Sequence, residues 1–222
     1  MKLNLPNVLT VGRLIAAPGV AVMFLYFHRP WADWFALTLF VTAAITDYFD
    51  GYLARLWKQE SRFGAMLDPI ADKAMVVIAL VILTGYSGMN PWLILPATVI
   101  LFREVFVSGL REFLGAEARL LKVTKLAKWK TTTQMVAIAI LFLGTGLEYL
   151  EGIARRGLTA EQYADAVSRG LADPVRSCGA RGCSSLATDV GLTLIWLAAA
   201  LTLVTGIDYF RKALPYLRGP KP

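Results

Sequence analysis

Between Thr46 and Lys73 the chain reads TDYFDGYLARLWKQESRFGAMLDPIADK, and the four aspartates in this stretch are the residues best placed to do chemistry. Asp47 and Asp50 are three residues apart, and Asp68 and Asp72 four apart, so on helices each pair shares one face. Both pairs lie at the edges of apolar runs, where an ionised side chain is costly unless it faces a cavity or a partner. Four together repel, and raise one another's proton affinity unless cations stand among them. Two divalent cations resolve that repulsion. Hard oxygen donors suit Mg2+ or Mn2+, and such a pair, roughly 4 Å apart, clamps phosphoryl oxygens during in-line displacement. Asp47, Asp50, Asp68 and Asp72 are therefore predicted metal ligands for phosphoryl transfer.

Neighbouring residues fit the same chemistry. Gly51 follows Asp47 by one helical turn and Gly64 precedes Asp68 by one, so a ligand or backbone can approach closely at either. Taken singly, each glycine would be read as a helix-packing residue. Ala54 keeps the face small, Arg55 suits a bidentate grip on phosphate, and Lys73 adds positive charge beside Asp72. A lone aspartate near a helix end is ordinarily a cap or a solvated interface group, and Asp33 and Asp208 are read that way.

The elements that must position these groups are membrane spans. The 222 residues are 56% hydrophobic and only 18% charged, and the mean hydropathy is +0.54. The charges clump between apolar runs of roughly 18–25 residues, long enough to cross about 30 Å of hydrocarbon. Six spans are predicted, at Val8–Tyr26, Trp34–Leu53, Gly64–Tyr86, Trp92–Leu110, Trp129–Tyr149 and Ala187–Tyr209. The fold class is an all-α membrane protein, a single catalytic domain over residues 1–222 with six transmembrane helices and a cytoplasm-facing active-site cavity. No cleavable signal peptide is expected, so the first apolar run stays as a helix. Trp31, Trp34, Trp92, Trp129, Tyr149 and Tyr209 lie near span ends, as an interfacial belt requires.

The net charge of +7 does not indicate nucleic acid. The basic residues flank apolar runs, as the positive-inside rule and anionic headgroups demand. Segments 55–62 and 111–130 and the C-terminal tail are basic, and with six spans they share one side with the N-terminus, the cytoplasmic side. Loop 150–186, between spans five and six, is then an extracytoplasmic insertion, despite holding five arginines. Within it Thr159–Leu171 has helical spacing of Tyr163, Val167 and Leu171, a short surface helix. Cys178 and Cys183 also lie there, where a disulfide closing a small loop is permitted, with free thiols the alternative. Two cysteines without a nearby histidine or carboxylate cluster do not make a zinc site.

A second constellation is cationic. Arg103 lies within a span, which implies that it faces a cavity, and Arg111 follows two turns later on a similar face. Lys128 and Lys130 open the fifth span on the same side of the membrane. The alternative for the two lysines is ordinary positive-inside anchoring. Together the four would form a cationic pocket beside the metals, suited to an acceptor that carries a phosphate.

Asp47, Asp50, Gly51, Ala54, Arg55, Gly64, Asp68 and Asp72 spell D-x-x-D-G-x-x-A-R-x8-G-x3-D-x3-D without departure. This resembles the signature of the CDP-alcohol phosphatidyltransferase family. The resemblance implies two metals held by the four aspartates, with Asp72 also the general base. It implies contacts to the CDP-diacylglycerol donor from Gly51, Ala54, Arg55, Ser61 and Gly64. Asn4–Arg13 (NLPNVLTVGR) and Arg103–Gly115 (REVFVSGLREFLG) are similar to the family members whose acceptor is sn-glycerol 3-phosphate. So is Lys128-Trp129-Lys130-Thr131 with Gln134, although Ala127 stands where a glycine is usual. In that family Thr10, Val11, Gly12 and Arg13 lie against the donor. The resemblance covers about residues 3 to 145 and implies a homodimer in a bacterial inner membrane; loop 150–186 is longer than expected.

Two rival readings remain at this point. One keeps the family but changes the acceptor to phosphatidylglycerol, inositol phosphate or serine; a phosphate-binding pocket argues against serine. The other is an ion or metal transporter built on intramembrane carboxylates. Transporters place such sites near the midplane on broken helices with inverted repeats, whereas these aspartates cluster at one face and no internal repeat is evident.

Overall fold

A computed structural model describes residues 5–29, 31–57, 62–115, 125–155, 162 and 183–217. The described residues form six helices and no strand: α1 (Leu5–Tyr26), α2 (Trp31–Trp57), α3 (Arg62–Tyr86), α4 (Pro91–Leu114), α5 (Lys125–Arg155) and α6 (Cys183–Leu217). Four of them, α1, α4, α5 and α6, are long and apolar enough to cross a membrane by length and composition. The other two are the helices that carry the aspartates.

The helices run past the predicted spans. α5 has 31 residues and α6 has 35, which at about 1.5 Å per residue is roughly 50 Å for α6. Hydropathy marks only the part of a helix that suits hydrocarbon, and backbone hydrogen bonding continues into the polar ends. The predicted loop 150–186 therefore loses residues 150–155 to α5 and 183–186 to α6. The surface helix expected over Thr159–Leu171 falls, apart from residue 162, outside the described residues.

Small side chains set the packing. Ala17, Ala36, Ala79, Ala137 and Ala198 are fully buried, and such residues let helix backbones approach closely where lipid supplies no hydrophobic drive. α1 packs against both α2 and α3, while α5 packs most extensively against α6 and α6 also carries α4. The two groups join through α2 and α3 against α5. At the α5–α6 contact, a Cβ added to Gly191 would stand 2.7 Å from Leu141. Phe24, Phe40 and Phe142 meet at centroid distances of 5.7–5.9 Å and tie α1, α2 and α5 together. The outer surface is apolar, with Ile15, Leu25, Phe102, Val105 and Phe113 largely exposed. That suits hydrocarbon rather than water.

A connection as short as that between α2 and α3 favours them as antiparallel neighbours, yet among the described residues they make no substantial contact with each other. α1 lies between them. A Cβ on its Gly19 would stand 3.1 Å from Leu39 of α2, and its Phe24 ring lies 4.6 Å from that of Tyr86 in α3.

Asp33 also departs from the reading as a solvated cap. Its side chain is 0% exposed, held by Arg29 through Nε to Oδ2 at 2.7 Å and Nη2 to Oδ1 at 2.6 Å. Arg29 Nη2 also donates to the Thr145 carbonyl at 2.8 Å, and the guanidinium lies 4.7 Å from the Tyr149 ring centre and 5.4 Å from that of Tyr86. Gly146 brings α5 against Asp33, since a Cβ there would stand 3.3 Å from the Asp33 Cβ. Asp208, by contrast, makes an ordinary half-exposed i,i+4 pair with Lys212.

At the α3–α4 connection Gly88 and Met89 both take left-handed backbone angles, φ 61° and 63°. The reversal ends on Asn90, whose side chain accepts from the Trp92 N–H at 3.0 Å. Pro91 opens α4 where its missing N–H costs no helical bond.

Candidate active site

The site is built around one side chain of α1. Asn7, Thr10 and Arg13 recur at three-residue intervals, face inward and are almost fully buried. The Arg13 guanidinium donates from Nη1 to Asp72 Oδ1 at 2.7 Å and also to Asp47 Oδ1. From Nη2 it reaches Asp68 Oδ1 at 3.2 Å. Thr10 Oγ1 donates to the same Asp68 oxygen at 2.7 Å. α1 thus inserts a fixed positive charge between the aspartate of α2 and the two of α3.

The geometry brings together three of the four predicted ligands, Asp47, Asp68 and Asp72, around one guanidinium. Asp50 shares the helix of Asp47, but its side chain lies outside the described residues. One buried arginine meets three carboxylates, each 41–49% exposed at the side chain, so the cluster holds a surplus of negative charge. Among the described residues no three His, Cys, Asp or Glu side chains form a ready metal site. The donor set is nonetheless all hard oxygen with unmatched charge, and fits divalent cations.

Of the residues expected against the donor, Thr10 and Arg13 reach the aspartates. Gly12 is exposed, with open space where a Cβ would stand, and Val11 is half-buried. Gly64 is buried in α3. Gly51, Ala54 and Arg55 lie in the last turns of α2 and Lys128 in the first turn of α5, all with side chains outside the described residues. Ser61 and Cys178 lie outside them altogether, and Cys183 opens α6 with its side chain outside them too.

Two cavities meet at Asp72. The first, about 460 Å³, carries four basic residues against two acidic ones and is lined by Pro69, Asp72, Lys73, Val76, Arg103, Glu104, Arg111, Lys130, Thr131 and Gln134. The second, about 580 Å³, is an apolar groove between α2 and α5, lined by Phe40, Val41, Ala44, Ile45, Asp47, Asp72, Val76, Thr131, Thr132, Met135, Val136 and Ala139. Asp72 stands in the wall of both.

Arg103, Arg111 and Lys130, predicted as one pocket, line one cavity. Arg103 lies over Gly206 of α6, where an added Cβ would stand 3.0 Å from its Cγ. The Arg111 guanidinium lies 5.2 Å from the Tyr209 ring centre. Glu104 was given no role by the sequence reading, yet it organises this wall. Its Oε1 accepts from Lys130 Nζ and from Arg103 Nη1, the latter at 3.1 Å. Lys73 donates to Ser108 Oγ, which donates to the Glu104 carbonyl at 2.5 Å. A signal was available: Glu104 is a carboxylate inside an apolar run, the cue that singled out the aspartates.

Comparison with known proteins agrees with this arrangement. The family model for CDP-alcohol phosphatidyltransferases matches residues 3–169. A CDP-diacylglycerol–glycerol-3-phosphate 3-phosphatidyltransferase of Cereibacter sphaeroides is 82% identical over 221 residues, covering 100% of both chains. One of Rickettsia bellii is 37% identical over 96% of this chain and 97% of its own length. One of Salmonella typhimurium is 44% identical over 143 residues, 64% of this chain and 78% of its own. The carboxylate cluster, the two cavities that share Asp72 and the matched sequence lead to one conclusion: the chain belongs to the CDP-alcohol phosphatidyltransferase family.

Proposed function

We propose that this protein transfers the phosphatidyl group of CDP-diacylglycerol to sn-glycerol 3-phosphate, giving phosphatidylglycerophosphate and CMP. The observation that carries the reading is the position of Asp72 on the wall between a basic cavity and an apolar groove. A reaction joining a lipid to a small phosphorylated alcohol needs such a boundary. Family membership sets the transporter alternative aside.

Asp47, Asp50, Asp68 and Asp72 would hold two divalent cations, Mg2+ or Mn2+, which when bound offset charge on the donor pyrophosphate and on the departing CMP. The apolar groove seats an acyl chain, and Arg13 faces the donor phosphates, with Arg55 the further contact that the family resemblance implies. Arg103, Arg111 and Lys130, with Lys128, hold the acceptor phosphate in the basic cavity. Asp72 takes the proton from the acceptor's 1-hydroxyl, that oxygen bonds to the β-phosphorus carrying diacylglycerol, and the bond to CMP breaks. Direct transfer leaves no covalent enzyme intermediate.

All six helices span a bacterial inner membrane as a homodimer, with the aspartates at the cytoplasmic face. α2 and α3 cross with their charged ends in the headgroup region, where the carboxylates reach both lipid donor and soluble acceptor.

The test offers labelled glycerol 3-phosphate, phosphatidylglycerol, inositol phosphate and serine to purified protein with Mg2+ or Mn2+ and follows CMP release. Glycerol 3-phosphate is expected to give the highest kcat/KM. Faster release with any other acceptor would reassign the substrate.

A further inference from the structure

The reaction proposed above uses the acceptor's phosphate and its 1-hydroxyl, which leaves the 2-hydroxyl without a partner in the protein. Gln134 stands in the wall of the basic cavity, one helical turn beyond Lys130 on the same face of α5. It is 3% exposed, and its Oε1 is buried without a hydrogen-bond partner among the described residues. A buried amide oxygen left unpaired loses its hydration without compensation, so such groups call for an explanation. Lys130, one turn away, is engaged with Glu104, and Arg103 Nε, in the wall of the same cavity, is likewise buried without a partner among the described residues.

We propose that Gln134 is a specificity-determining residue that accepts a hydrogen bond from the 2-hydroxyl of the acceptor. The inference rests on the assignment of glycerol 3-phosphate as acceptor. With the phosphate on the basic wall and the 1-hydroxyl at Asp72, the middle carbon of a three-carbon chain lies between those two walls. Gln134 borders the same cavity one turn from the lysine of the basic wall. The terminal amide torsion is soft, so the carbonyl turns into the cavity at little cost when a hydroxyl arrives. An acceptor without that hydroxyl leaves the amide oxygen unpaired, and a site that binds a substrate hydroxyl discriminates strongly against the analogue lacking it.

The experiment compares sn-glycerol 3-phosphate with 3-hydroxypropyl phosphate, which keeps the phosphate and a primary hydroxyl but lacks the 2-hydroxyl. kcat/KM is measured by CMP release for the wild type, Gln134→Leu and Gln134→Glu, with thermal midpoints in detergent as a check on folding. The wild type should prefer glycerol 3-phosphate by about 10–100-fold, the loss of one such bond. In Gln134→Leu that preference should collapse to within about threefold of unity, through a selective fall for glycerol 3-phosphate. Gln134→Glu, which keeps an acceptor oxygen, should restore part of it. Equal use of the two acceptors by the wild type overturns the proposal even if no variant folds. An equal loss on both in Gln134→Leu overturns it as well. Turnover of neither acceptor by the wild type refutes the acceptor assignment itself, and this inference with it.

Discussion

Two arginines, the buried Arg13 and the partly exposed Arg29, lie at opposite ends of the bundle and meet aspartates in opposite ways. Arg29 meets one carboxylate, that of Asp33, through both of its oxygens, and satisfies a carbonyl of α5 besides. The charges balance and the polar atoms are paired. Among the described residues Arg13 meets three carboxylates, Asp47, Asp68 and Asp72, which leaves a surplus of negative charge there. A balanced buried pair joins helices; an unbalanced cluster is costly to hold and implies further cations. Burial alone would have ranked the two sites the other way, because Asp33 is the more deeply buried aspartate.

The largest test of this contrast is Asp72→Asn. It keeps the shape of the side chain but removes its ability to take a proton, and CMP release should fall by about 10²–10⁴-fold in protein that still folds. Full turnover with saturating metal and substrates would strip Asp72 of its role as base.

The opposite end should fail differently. Asp33→Ala leaves Arg29 with its carboxylate partner gone and should cost about 3 kcal/mol of stability, read as a lower unfolding midpoint in detergent. CMP release per folded molecule should stay at the wild-type level. A fall in turnover without loss of stability would mean that the two ends are coupled chemically.

A smaller and more diagnostic effect is expected at Arg13. Without its guanidinium the three carboxylates are unneutralised, so Arg13→Gln should lower the thermal midpoint most in chelator. Added Mn2+ should recover about 1–2 kcal/mol more stability in the variant than in the wild type. An identical recovery in both would show that the guanidinium and the metal do not answer the same charge.

Much of this was legible beforehand because it depends on local spacing. The apolar runs marked all six helices, although their ends were set too short at α5 and α6, since hydropathy is blind to helix that continues into polar surroundings. The aspartate pairs were legible because three- and four-residue spacing puts side chains on one helix face. Arg103, Arg111 and Lys130 were legible as cations in or beside apolar runs. Glu104 and Gln134 were left without roles: one was masked by its neighbour Arg103, and the other stood in the stretch that carries the resemblance but, being uncharged, showed no chemistry until its amide is found buried and unpaired.

By itself the sequence determined which residues share a helix face and that two pairs of aspartates stand at the edges of apolar runs, because helix periodicity and the cost of charge in hydrocarbon act within a single segment. Only the tertiary structure decided that α1 lies between α2 and α3, that Arg13 holds the acids while Arg29 locks the far end, and that two unlike cavities meet at Asp72. Those outcomes depend on which helices come close. Shape matching among small side chains distant in the chain settles that, and no local pattern records it.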